Sequence, residues 1–142
     1  MIPLKLLLII FSCFYGVNGE ASDGLRSGCW IWGACKADEA NHKKLRSCYD
    51  PIPDPEKAER MKEASASGIY DFTTDVDVFL QKFCKEDNEL QEKITVEVGQ
   101  LGLEKYSEYC ASPWTRDKCE TYHKVMSCML DCIDDFTKKG LC

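Results

Sequence analysis

Residues 112–142 read SPWTRDKCETYHKVMSCMLDCIDDFTKKGLC, and the fold turns on them. Ser112-Pro113 has the form of a helix start: a hydroxyl to cap the first free amides, then a ring that presets the helical φ. Tyr122, Val125, Met126, Met129, Ile133 and Phe136 then follow one broad stripe at helical steps. Lys138 and Lys139 suit the negative end of the dipole, and Gly140 stops the helix. The pattern predicts one long helix from Pro113 to Thr137.

That helix carries Cys119, Cys128 and Cys132. A helix turns about 100° per residue, so Cys119 and Cys128 project from nearly opposite faces. They cannot bridge each other, because a disulfide needs Cα atoms within about 7 Å. Each must reach a different neighbour. Cys128 and Cys132 share a face and are placed to staple the helix to one partner at two points. Cys142 lies beyond the helix and can fold back. The helix is therefore the expected hub of an all-α, disulfide-stapled domain.

Upstream, Leu90, Ile94, Val98 and Leu101 suggest another helix, weakened by Gly99 and Gly102. Before it, Val76, Phe79, Leu80, Phe83 and Cys84 follow helical spacing over Thr74 to Lys85. Thr74 and Asp77 resemble a capping box there. Asp54-Pro55 starts a helix that Gly68 ends, and Asp38 to Cys48 holds strong helix formers. Residues 20–37, rich in Gly, Ser and Cys, read as an irregular segment tied down by Cys29 and Cys35. The sum is about five helices and no defensible strand pair.

Residues 1–19, MIPLKLLLIIFSCFYGVNG, have the form of a secretory signal peptide: Lys5, an apolar run, then Val17 and Gly19 before a cleavage site. The run is too short to span a bilayer of about 30 Å. A secreted, extracellular product without stable membrane insertion is expected, with residues 20–142 as its single domain. The full chain has 142 residues, ten cysteines and a net charge of −6. Cleavage removes Cys13, leaving Cys29, Cys35, Cys48, Cys84, Cys110, Cys119, Cys128, Cys132 and Cys142. In an oxidising compartment these form disulfides. An odd number leaves one free, or paired with a second copy in a covalent dimer. Cys142 is the most accessible candidate. The acidic charge argues against nucleic acid as a partner.

Cys110, Cys119 and Cys128 are separated by eight residues each time. Together with the segment CETYHKVMSC, this resembles the last three cysteines of insect odorant-binding proteins. The likeness covers residues 110–128. It implies about six helices around a pocket for a small hydrophobic ligand. It also implies a Cys110–Cys128 bond and a bond from Cys119 to an upstream helix, at Cys84 for example. Secreted helical cysteine-rich proteins of invertebrate haemolymph and venom look similar too.

No nucleophile elbow, H-E-x-x-H or phosphate loop occurs, so an enzyme is not expected and no catalytic residue is assigned. A Cys–His pair at Cys119 and His123 would need a free thiolate. No cysteine pair has C-x2-C spacing and His42 lies far from His123, so neither metal nor cofactor is expected. Phe79, Phe83, Tyr122, Met126, Met129 and Ile133 are core candidates that would also suit a cavity. Trp30 and Trp32, if exposed, would mark a binding edge. The leading expectation is a carrier of small apolar ligands. The alternative is a venom or haemolymph effector that binds an extracellular protein or a membrane surface.

Overall fold

The computed structural model describes residues 19–142. Apart from Gly19, the expected signal peptide lies outside the described residues. Six α-helices follow in order: α1 Gly19–Cys35, α2 Glu39–Ser47, α3 Asp54–Ala66, α4 Val76–Phe83, α5 Asn88–Cys110 and α6 Arg116–Lys138. A 3-10 turn, Pro113–Thr115, joins the last two, and no strand occurs among the described residues. The all-α reading holds. The first segment differs from expectation, because residues 20–35 are helical rather than irregular.

Capping chemistry sets several boundaries. The Asp38 carboxylate accepts from the Asn41 amide at 2.9 Å, and that of Asp87 accepts from the Leu90 amide at 2.9 Å. Asp75, rather than Thr74, caps α4 by accepting from the amides of Asp77 and Val78. At α3 the chain enters through Pro53, without a side-chain cap. Gly68 and Gly140 take φ values of +79° and +66°, the left-handed turn that ends α3 and α6.

Helices α5 and α6 form an antiparallel hairpin, with Tyr109 against Tyr122 and Tyr106 against His123. Helix α6 also touches α1 and α2, and is the expected hub. Phe72, Phe83, Ile94 and Phe136 are fully enclosed at the centre. Gly33 lets α1 come this close. A Cβ there would lie 2.8 Å from Leu45 Cδ2 and 2.9 Å from Phe136 Cε2.

Four disulfides surround this centre: Cys29–Cys142, Cys35–Cys84, Cys48–Cys128 and Cys110–Cys119. Cys132 is buried and unpaired. Three expectations are corrected. First, Cys132 takes no part in a disulfide; of the two cysteines that share a face, only Cys128 staples α6 to α2, because Cys48 is one sulfur facing two. Second, Cys142 is not the odd thiol. After Gly140 the Leu141 amide donates back to the Phe136 carbonyl at 3.0 Å, and the chain turns to meet Cys29.

Third, Cys110 does not pair with Cys128, nor Cys119 with Cys84; the two pair with each other. The 3-10 turn delays α6 to Arg116 and brings Cys119, in its first turn, to a Cα–Cα distance of 4.9 Å from Cys110. Cys128 lies roughly 18 Å along α6, at about 1.5 Å per residue, beyond reach of Cys110. This connectivity differs from the one that the odorant-binding resemblance implies.

Two glycine substitutions should move stability in opposite directions. Gly33→Ala crowds Leu45 and Phe136 and is expected to cost about 1–3 kcal/mol. Gly99→Ala, with nothing within 4 Å of the new methyl, is expected to gain about 0.5–1 kcal/mol from helix propensity. Urea unfolding of the two oxidised variants measures both.

Candidate functional site

The six residues expected to line a cavity are divided between two packed clusters. Phe79, Phe83 and Ile133 belong to the central one, and Tyr122 to a smaller one with Ile52, Tyr109 and Val125. Met129 touches both, and Met126 is half-buried. Phe79 stacks on Phe72 with ring centres 5.2 Å apart, and Phe83 lies 5.5 Å from Phe79. The rings are thus one another's neighbours.

A cleft of about 360 Å³ lies between α1 and the start of α5, lined by Ile31, Trp32, Lys36, Asn88, Gln91 and Glu92 among others. A second, of about 300 Å³, lies at the α5–α6 corner beside Pro113 and Arg116. None of the six candidates lines either cleft.

The tryptophan pair is not an exposed edge. Trp30 is 8% exposed, sits edge-on to Phe83 and donates from Nε1 to the Tyr49 hydroxyl at 3.2 Å. Burial pushes that hydroxyl up to about 12. Trp32 is partly buried, edge-on to Phe136. The two indoles leave α1 within one turn, about 200° apart, and each meets a different buried ring.

Among the described residues the exposed aromatic is Trp114, with 93% of its surface open. It stands on the 3-10 turn, inside the loop that Cys110–Cys119 closes. The turn is tightly held. Ser112 Oγ accepts from the Trp114 amide at 3.3 Å. Thr115 Oγ1 lies 2.7 Å from the Tyr109 carbonyl and 3.2 Å from that of Ser112, and donates to them. Pro113 fixes its own φ. Arg116 lines the neighbouring cleft and pairs with Glu120, while Lys118 lies 5.0 Å from the Tyr109 ring centre. Periodicity offers no sign of Trp114, because it precedes the helical stripe. Its place between two cysteines, next to proline, is the available signal.

The remaining polar candidates are engaged in surface contacts. His123 Nδ1 lies 3.2 Å from the Tyr106 hydroxyl. On α2, Lys44 pairs with Asp135 and Arg46 with Asp77, each at 3.0 Å. The Tyr122 hydroxyl is the exception: it is buried near the Glu56 carboxylate, without a hydrogen bond of good geometry. Burial pushes its pKa well above the usual phenol value.

One sulfur cluster stands apart from these groups. The Sγ atoms of Cys48, Cys128 and Cys132 all lie within 4.8 Å of one another. Cys48 and Cys128 are bonded, so neither offers a thiolate to a metal. No protein-family model matches the chain, and no curated protein or solved structure matches it.

Trp114→Ala removes a side chain with almost no contacts and is expected to change stability by less than about 0.5 kcal/mol. Tyr122→Phe removes a buried hydroxyl that makes no well-aligned hydrogen bond but also ends its interaction with the Glu56 carboxylate, so it is expected to change stability by less than about 1 kcal/mol. Chemical denaturation midpoints of the two variants check both expectations.

Proposed function

We propose that this chain is a secreted binding protein that works by contact rather than catalysis. It engages an extracellular protein through the Trp114 corner. The observation that carries this reading is one indole, almost wholly exposed, on a turn closed by a disulfide. Trp and Arg are among the residue types most often central to binding energy at protein interfaces, and Arg116 stands two residues on, lining the adjoining cleft. A turn already held by Pro113, Thr115 and Cys110–Cys119 loses little further freedom on binding. The acidic chain disfavours an anionic membrane surface as the partner. The N-terminal sequence and four disulfides support secretion.

The test is comparative. Immobilised oxidised protein is exposed to extracellular fluid of the source organism, and retained proteins are quantified for wild type and Trp114→Ala. A specific species should be retained by wild type and reduced at least about tenfold in the variant. Equal retention by the two overturns the reading. Expression of the full chain in a secreting cell, with N-terminal sequencing of the product, should give a start at Glu20.

A carrier of small apolar ligands is the second reading. Met129 favours it, as the flexible side chain that separates the two clusters and would have to move aside. Titration with a fluorescent naphthylamine probe decides between them. Saturable binding supports the carrier, and a flat titration supports the surface reading.

A further inference from the structure

We infer that Cys48, Cys128 and Cys132 form a thiol–disulfide exchange site. It moves the odd thiol from a buried position to a more accessible one, making Cys128 the place where a small disulfide modifies the chain. This inference is independent of the Trp114 corner. Cys132 is unpaired and 1% exposed, and its Sγ lies 3.7 Å from Cys48 Sγ. Cys128 and Cys132 are one turn apart on the same face of α6, so Cys48, at the end of α2, faces both. Cys128 is only partly buried, while Cys48 is enclosed.

The first step needs no external oxidant. The Cys132 thiolate attacks Cys48 Sγ, a Cys48–Cys132 bond forms, and the Cys48–Cys128 bond breaks. The electron pair leaves on Cys128 sulfur, which takes a proton from solvent in place of the one Cys132 gave up. The number of disulfides is unchanged. Chain entropy barely distinguishes the two pairings, whose sequence separations are 80 and 84.

The second step takes a low-molecular-weight disulfide such as glutathione disulfide. The Cys128 thiolate attacks one of its sulfurs and forms a mixed disulfide. The other sulfur departs as a thiol, reduced as Cys128 is oxidised.

The groups around Cys132 set the pH dependence. Burial raises its pKa; Lys44 from α2 opposes the rise, and Asp135 and Asp131 from α6 add to it. The thiolate is therefore scarce at neutral pH, and exchange quickens as pH rises. Below the thiol pKa the rate should rise about tenfold per pH unit.

The experiment uses the oxidised protein incubated with glutathione disulfide at acidic and at mildly alkaline pH, then quenched with acid. Cleavage after Met129 puts Cys128 and Cys132 on different peptides for mass spectrometry. The expected products are a glutathione adduct on Cys128 and a Cys48–Cys132 link, formed faster at the higher pH. Cys132→Ser should abolish the adduct. Cys128→Ser should fold with Cys48 bonded to Cys132 and take no adduct. An adduct on Cys132 with Cys48–Cys128 intact, an adduct on Cys48, or no adduct after prolonged alkaline incubation overturns the inference, whether or not either variant folds.

Discussion

The close approach of three helices at Gly33 is the constraint on which the rest of the structure depends. Leu45 from α2 and Phe136 from α6 occupy the space a side chain at 33 would need. Only hydrogen fits between them. That contact draws α1 into the angle between α2 and α6. The aromatic column of Phe72, Phe79, Phe83 and Trp30 then packs around it. Helix α4 is short, and joins through Phe79 and Phe83 and the Cys35–Cys84 bond.

The four disulfides fasten this arrangement with unequal force. In the chain-entropy model a ring of separation 113, as for Cys29–Cys142, restricts the unfolded state by about 5 kcal/mol. A ring of separation 9, as for Cys110–Cys119, is worth about 2.6 kcal/mol. The long bonds therefore serve the whole fold. The short one serves the corner that carries Trp114, and keeps its shape local.

Much of the helical architecture was legible in the sequence, because apolar spacing and caps act within a few residues. The stripe from Tyr122 to Phe136, the end at Gly140 and the start of α2 after Asp38 all depend on neighbours in the chain. The opposite faces of Cys119 and Cys128 were legible for the same reason. Cysteine pairing was not, since it depends on which helices meet. Helix α1 was hidden by its Gly, Ser and Cys content, which local propensity disfavours and tertiary packing tolerates. Phe79, Phe83 and Ile133 show why a cavity is hard to read from composition. A lining and a filled core use the same residue types, and only the distance between facing rings separates them. Trp114 escaped because exposure is a property of the surrounding chain.

The Cys29–Cys142 bond has a topological meaning as well. It closes residues 29–142 into a covalent ring, inside which Cys48–Cys128 makes a crossbar. A protease that cuts any one peptide bond of that ring makes no fragment, because both sides of the cut stay joined through sulfur. Two cuts are needed to release a piece, and they must fall where no other disulfide spans them. A molecule nicked once within the ring therefore keeps almost the mass of the intact one, its two sides still joined through sulfur.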